Sequence, residues 1–480
     1  MATLKKKIQG LDINTKINDE LNIQLSTAIS RGNYKESIIR VQNGNQGPYK
    51  LIGLKGELYV LIVSGSESVF VNGIKIQRGN DKDYIIDYNS GEIIFNASFP
   101  ILSDMRVKVE YQVSEKNFNS FVAFTNLKFE KKLSSHNISF FNQNDIKNQP
   151  IMQNFSENQI DILSNAGDNE SLMLSQSDFP ADFNENRILY KKQVINNIQV
   201  FVYSNDPNDE LFDVRFTNVG DNEGNYILLS NNTIENIYEY VNPINGIKQG
   251  NYEPVIFLIP PKKLQLITYN SEFKISNNSN LNFEIAASMK DENLFSNIND
   301  NNNYGLASKI NFISINKINS KYNLTSDFNF DYINKKFETI ERIYNIEFNR
   351  DWNLEQTTIN NYNQTYSNIS LGFERNGVGS LIYKFDNLRF EDYYNGFKNS
   401  LLLNINSLEN LRLSSSNSIL SSEKNNYDSE FIQSFNDFEI RHKLGWTVLN
   451  YNFEKKKSES ISQNGNPDFG HQIFDITNGI

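Results

Sequence analysis

Between Pro261 and Pro467 the chain runs for roughly 200 residues without a proline, although nine of its ten prolines fall at or before Pro261. Proline lacks a backbone donor and is excluded from strands paired on both sides. A proline-free span of this length therefore predicts continuous strands with neighbours on either edge. Lys321 to Tyr332 ("KYNLTSDFNFDY") shows the pattern most clearly. Tyr322, Leu324, Ser326, Phe328, Phe330 and Tyr332 share one face, and Lys321, Asn323, Thr325, Asp327, Asn329 and Asp331 the other. This alternation outlasts the roughly 5–6 residues of an ordinary strand. It matches the about 9–11 residues of a tilted membrane-crossing strand, with Tyr322 and Tyr332 at the two aromatic girdles and Phe328 and Phe330 facing lipid.

The same pattern recurs. Leu281, Phe283, Ile285 and Ala287 alternate with Asn282, Glu284 and Ala286; Ile369, Leu371 and Phe373 with Ser370, Gly372 and Glu374. Leu381, Tyr383 and Phe385 alternate with Ile382, Lys384 and Asp386, and Tyr344, Ile346 and Phe348 with Asn345, Glu347 and Asn349. A slip of phase between Val448 and Leu449 predicts a bulge or a strand end near Trp446. A weak repeat links "INDELNIQLSTAIS" to "ISNNSNLNFEIAAS", each a polar turn before an alternating strand. Short turns on one side and long loops on the other are the asymmetry of outer-membrane barrels.

Composition narrows the chemistry. Mean hydropathy is −0.53 although 38% of residues are apolar, as expected where polar residues fill every second position. The net charge of −11 and the lack of a long basic run exclude a nucleic-acid surface. There is no cysteine, so thiol nucleophiles, disulfides and Cys-bound metals are absent together. Three histidines, His136, His442 and His471, lie too far apart in sequence to suggest a zinc site. No apolar run reaches the roughly 20 residues of a membrane helix. The start "MATLKKKIQGLDINTKIND" has no apolar core of a signal peptide.

Two segments break the strand pattern. From about 42 to 113 the chain carries compact strands, with Val60, Leu61, Ile62 and Val63 as a run suited to a strand buried on both faces. In the same segment "DYIIDYNSGEIIF" predicts a hairpin whose three-residue turn Asn89-Ser90-Gly91 uses Gly91 at positive φ. Its Tyr84, Ile86 and Tyr88 share one face. From about 150 to 261, Ser156 to Gln159 is a capping box opening a short helix that ends before Gly167. The expected organisation is barrel-type strands over 1–40, a β-sandwich-like module over 41–115 and a barrel-type hairpin over 116–149. A mixed loop, helix and β insertion follows over 150–262, with barrel-type strands over 263–480. The fold class is all-β, with antiparallel transmembrane-type barrel strands and an inserted small module.

The run "GPYKLIGLKGELYVLIVSGSESVFVNGIKIQRGNDKDYIIDYNSGEIIF", with "YVNPINGIKQGNYEPV" and "EIAASMKDENLFS" later, resembles large, mostly uncharacterised outer-membrane β-barrel proteins of Bacteroidota. "DYIIDYNSGEI" also resembles the "DYxVDYxxG" turns of the type 9 secretion translocon barrel. The resemblance implies a bacterial outer-membrane location, lipid and other envelope proteins as partners, and a barrel joined to a β module. Family members are longer, begin with a signal peptide and end on an aromatic strand, so the chain is expected to be an internal fragment or a truncated frame.

Candidate chemistry is sparse. Asp206, Asp209, Asp221 and Glu223 lie in acidic loops that offer oxygen ligands to Ca²⁺, the one cofactor considered, although solvated loops account for them as well. Pairs such as Asp81 with Asp83, or Asp291 with Glu292, have no nucleophile or orienting group in a readable motif, so no catalytic residue is assigned and no enzyme is expected. Tyr238, Tyr240 and Tyr252 suit packing under a loop better than glycan binding. The expected function is a non-enzymatic outer-membrane barrel, serving as conduit, scaffold or surface receptor. A soluble, secreted or cell-surface β adhesin is the alternative.

Overall fold

The computed structural model describes residues 10–30, 32–54, 60–114, 117–150, 155–230, 236–354, 361–408, 410–424, 427–442, 445–460 and 469–479. The chain is all-β and divides into two compact units. The first comprises residues 1–146, 263–290 and 301–480; the second comprises 147–262 and 291–300.

The first unit opens with β1 (Gly10–Lys16) and β2 (Leu21–Ser30). A module follows: β3 (Gly32–Ile39), β4 (Tyr49–Lys50), β5 (Ser68–Val71), β6 (Ile74–Lys75), β7 (Tyr84–Asp87), β8 (Glu92–Phe95) and β9 (Val107–Ser114). Next come β10 (Phe118–Lys131) and β11 (Ser134–Pro150). The second unit contains α1 (Glu157–Ala166), β12 (Leu174–Gln176), β13 (Asp178–Pro180), β14 (Leu189–Ile195), β15 (Ile198–Ser204) and β16 (Leu211–Val214). It continues with β17 (Thr217–Asn218), β18 (Tyr226–Ser230), β19 (Ile237–Tyr240), β20 (Tyr252–Glu253) and β21 (Val255–Phe257). The first unit resumes with β22 (Lys263–Ser276), β23 (Ser279–Asp291), β24 (Tyr304–Lys317) and β25 (Tyr322–Ile333), then α2 (Phe348–Asp351). It ends with β26 (Gln364–Arg375), β27 (Gly379–Phe390), β28 (Tyr394–Leu408), β29 (Leu411–Lys424), β30 (Tyr427–His442), β31 (Gly445–Ser460) and β32 (Phe469–Gly479).

Fifteen strands form one sheet in the order β1-β2-β10-β11, then β22 to β32 in sequence. Their pairing is antiparallel wherever the register is given, as in Phe312↔Phe328 and Phe328↔Ile369. The joins β10–β11 and β22–β23 are two-residue turns, which only antiparallel neighbours can use. One end of this sheet carries turns of two to four residues. The other end carries the module and the 30-residue connection 334–363, although β27–β28 and β29–β30 are also short links there.

The module has two sheets, β3-β9-β5-β6 and β4-β8-β7, around Leu51, Val69, Ile93, Phe95, Ile101, Val107, Val109 and Tyr111, all nearly inaccessible. It starts earlier than the expected 41: β3 pairs with β9 along its whole length, from Gly32↔Ser114 to Ile39↔Val107, so within 1–40 only β1 and β2 belong to the large sheet. Val60–Val63 is not a regular strand. Ile62 makes an isolated bridge to Val113, Val60 and Ile62 are buried, and Leu61 is exposed. Tyr59 lies outside the described residues.

The capping box forms as expected. Ser156 Oγ accepts from Gln159 N–H, Gln159 Oε1 accepts from Ser156 N–H, and α1 stops before Gly167 at φ +60°. One reading fails: Tyr344–Asn349 is not a strand but a turn leading into α2. The strand end expected near Trp446 is the start of β31 at Gly445, and Val448 and Leu449 pair with Glu439 and Phe438 without a bulge; a register shift lies between Ile405 and Leu408 in the β28–β29 pairing. Both faces of a strand can carry apolar residues at its ends, so a phase slip there needs no bulge.

Candidate functional site: a polar sheet face and the segment against it

The large sheet reverses the usual burial. On β25 the phenyl groups of Phe328 and Phe330 are 40% and 37% exposed, whereas the intervening Asn329 is 8% exposed. The reversal runs across strands. Leu281, Phe312, Phe328, Ile369 and Phe385 form one cross-strand row on the outer face. Asn282, Asn311, Asn329, Asn368, Asp386 and Lys398 form the neighbouring row on the inner face. Ile369 and Leu371 are half exposed, while Asn368 and Asp386 are buried. The polar row satisfies itself: Asn311 Nδ2 donates to Asp327 at 2.7 Å, Asn329 Nδ2 to Asp331 at 3.0 Å, and Asn368 Nδ2 to Asp386 at 2.7 Å. Tyr366 OH also donates to Asp386, at 2.5 Å.

The connection after β25 lies against this inner face. Phe337, Ile340, Ile343 and Tyr344 pack with Val122, Phe141, Leu266, Ala286, Ala307 and Ile333, which come from β10, β11, β22, β23, β24 and β25. Phe348 and Trp352 pack with Leu388, Phe390, Tyr394, Leu420 and Phe431 from β27 to β30. Tyr344, Phe348 and Trp352 recur every fourth residue; the Tyr344 and Phe348 rings stack with centroids 3.8 Å apart, and Phe348 meets Trp352 at a tilt, 6.3 Å away. The backbone of the connection presses on Gly305 of β24, where a Cβ would stand 2.2 Å from Phe337 N. Glycine is required at that approach.

Arg106, one residue before β9, and Lys108 and Glu110 on β9 hold the connection to the module. Arg106 Nε meets Glu347 Oε2 at 3.0 Å, Lys108 Nζ donates to the Ile346 carbonyl, and Glu110 pairs with Arg342 Nε. The Arg342 guanidinium also lies 5.3 Å from the centroid of the Phe70 ring. Glu110 accepts from Tyr34 OH at 2.8 Å, and burial together with that carboxylate pushes the phenol upward. At the other end Arg350 pairs with Glu454 on β31.

Beside this segment is a cavity of 1320 Å³. Its wall takes Lys309, Asn329, Tyr366, Lys384, Ser400, Ser418, Gln433 and Asn452, one from each of β24 to β31, and the module adds Asn72 and Arg106. Eight flat strands at about 4.8 Å spacing would span about 34 Å, so the sheet must curl for all of them to meet one cavity. The lining mixes charged and amide groups of both signs, such as Lys309, Lys384, Asp331 and Asp386, with apolar side chains such as Ile343, Phe348, Trp352 and Leu402.

The sequence-predicted residues divide. Phe328, Phe330 and Tyr322 lie on the outer face, Tyr322 stacked on Phe373 at 5.2 Å, and Tyr332 is half-buried on the same face. Gly91 has φ +64° as expected, but the pair Asp87↔Glu92 makes the loop Tyr88–Gly91, four residues rather than three. Asp87 Oδ1 accepts from the Asn89 and Ser90 amides, which holds its carboxyl below the usual range. Tyr84 and Tyr88 reach the buried Glu67 carboxylate. The calcium candidates do not converge. Asp206 accepts from Asn208, Asp209 pairs with Lys191 at 3.0 Å, Asp221 accepts from Asn251, and the Glu223 carbonyl accepts from Lys248. Among the described residues no group of three or more His, Asp or Glu side chains is arranged to hold a metal. Asp83 accepts from the Gln77 amide and Asp291 from the Asn293 amide, both as turn caps. Tyr238 stacks on Phe216 at 4.6 Å and meets Tyr252 at a tilt at 4.9 Å, and Tyr240 packs against Tyr226. The connection 334–354 was not found from sequence. Its one signal is the four-residue spacing of Tyr344, Phe348 and Trp352.

Among the described residues no helix is long and apolar enough to cross a membrane. No curated protein matches the chain. Residues 34–115 match a family described as a domain of unknown function (DUF8818), a span close to that of the β3–β9 module.

Proposed function

We propose that the protein is a non-enzymatic β-barrel of a bacterial outer membrane, a conduit whose interior is closed by the module and the segment 334–354. The observation that carries this reading is the reversed burial of the fifteen-stranded sheet. Monomeric soluble proteins rarely expose an apolar patch beyond a few hundred Å², and an outer face repeating Leu, Ile and Phe from strand to strand is one that lipid covers. Strands of 12 to 16 residues from β24 to β31 suit tilted spans. Charged and amide groups of both signs along the cavity wall suit a water-filled interior, and the end with two-to-four-residue turns is then the periplasmic end. By that rule the module stands at the outer end, where it can also meet surface partners.

The test is detergent dependence. The full chain, refolded from denaturant, is expected to be monodisperse with a cooperative β transition only in detergent or lipid vesicles, and to aggregate in plain buffer. A monodisperse, folded species in plain buffer would replace this reading with the soluble adhesin.

A further inference from the structure

The carboxylates that the large sheet presents to the cavity are already occupied: Asp331 by Asn329 and, at 3.8 Å, Lys309; Asp386 by Tyr366 and Asn368; Glu454 by Arg350. Two of its cations are not. Lys384 on β27 and Lys398 on β28 line the same cavity, both half-buried, and among the described residues neither ammonium has a hydrogen-bond acceptor or an ion-pair partner. Asp351 on α2 acts on Lys398 only from beyond ion-pair distance and stands 3.9 Å from Arg350. The register puts the two lysines together. Lys384 is directly opposite Ser400, and Lys398 lies two residues before Ser400 on the same face. Diagonal neighbours of this kind stand about 7–8 Å apart, within reach of long side chains. Ser400 faces Ser418 on β29, and among the described residues its hydroxyl has no hydrogen-bond partner. Like charges set side by side destabilise a sheet, and a chain with 57 acidic and 46 basic residues had carboxylates to place there.

We infer that Lys384, Lys398 and Ser400 form a binding site for a phosphate group, free or carried by a small solute in the cavity. The ammoniums donate only and the hydroxyl is free to donate, and bonds from such groups to an anion are about twice as strong as neutral ones. A doubly charged oxyanion suits the pair better than a carboxylate, because each ammonium then meets a charge of its own. Asp386 stands opposite Lys398, and both bonds it accepts go to Oδ1. A carboxylate beside the site favours hydrogen phosphate, which has a proton to donate, over sulfate, which has none. The site needs only the pairing of β27, β28 and β29. It therefore holds whether the sheet is set in lipid or in water.

The test is isothermal titration calorimetry of the full chain, in whichever of detergent or plain buffer keeps it monodisperse. The probe is inorganic phosphate at constant ionic strength and about pH 8, where the dianion prevails. Saturable binding of one phosphate per chain is expected, with sulfate weaker and glycerol silent. Lys384→Gln and Lys398→Gln are each expected to weaken phosphate at least about tenfold, and Ser400→Ala to weaken it less. Lys384→Arg, which keeps the charge, is expected to retain binding. Lys309→Gln removes an ammonium that Asp331 already holds, and is expected to change the affinity by no more than about twofold. Circular dichroism melts report whether each variant is folded. Absence of saturable binding to the folded wild type overturns the inference. An equal loss in Lys309→Gln overturns it too, because the effect would then belong to the diffuse charge of the wall. Sulfate bound as tightly as phosphate overturns the assignment to phosphate.

Discussion

Two side chains one position apart on β25 carry opposite demands. Phe328 is apolar and exposed, and Asn329 is polar and buried beside a cavity. Replacing Phe328 with Arg is expected to cost about 2–4 kcal/mol in a lipid or detergent environment. Asn329→Arg, which can extend into the cavity toward Asp331, is expected to cost only a small fraction of that. Urea titrations of both variants in the same detergent check the pair; equal costs would mean a sheet packed on both sides. The hairpin turn has its own residue-scale signature. The Asp87 carboxylate accepts two backbone amides, and those bonds lower its pKa. A carboxyl held below its ordinary value of about 3.9 contributes stability above that pH and loses it as pH falls through the folded value. Asp87→Asn keeps an acceptor oxygen without the charge. Its melting temperature is therefore expected to vary less than the wild type's below about pH 4, measured by circular dichroism.

At the scale of elements, the proposed closure rests on the connection between β25 and β26. Its hold on the module includes two ion pairs and one carbonyl contact, made by Arg106 just before β9 and by Lys108 and Glu110 on β9, besides the Arg342–Phe70 contact. A hydrogen bond to a charged group contributes about 1.5–3 kcal/mol. Losing two of them in Arg342→Ala with Glu347→Ala is expected to raise the open probability in planar bilayers by at least about tenfold. Detergent-solubilised stability should change little, because the aromatic packing of Phe348 and Trp352 is untouched. Unaltered conductance would place the closure elsewhere. The strands were legible for a physical reason: period two survives wherever one face is polar and the other apolar, as at Lys321–Tyr332. Tyr344–Phe348 shows where that reasoning fails. Alternating aromatic and amide residues satisfy a strand template, yet Tyr344, Phe348 and Trp352 satisfy a helical one too, and the neighbouring strands supply the rings that select it. The β9 contacts were not legible, because alternating Arg106, Lys108 and Glu110 look like any solvated strand face until the sequence-distant partner is in place. The hairpin at Asp83–Phe95 was legible from Gly91 alone, although the turn is one residue longer than the sequence suggests.

For the molecule as a whole, the useful division is between what folds in water and what needs lipid. The module has a closed core of its own. Val69, Ile93, Ile101, Val107 and Val109 are fully buried, and both of its sheets contribute to that core. The sequence placed its start near residue 41, because β3 alternates like the strand before it and no proline or long turn separates them. β3 nevertheless covers β9 from end to end, and β9 carries three of the most buried core residues, Val107, Val109 and Tyr111. A piece comprising residues 32–114 is therefore expected to be soluble, β-rich and cooperatively melting without detergent. The shorter piece 42–113 leaves one edge of β9 unpaired and one side of that core open, and unpaired hydrophobic edges aggregate. Size-exclusion chromatography and thermal melts of the two pieces side by side check this. If both fold alike, β3 belongs energetically to the large sheet. If neither folds, the pairs of Arg342 with Glu110 and of Glu347 with Arg106 are part of the module's own stability.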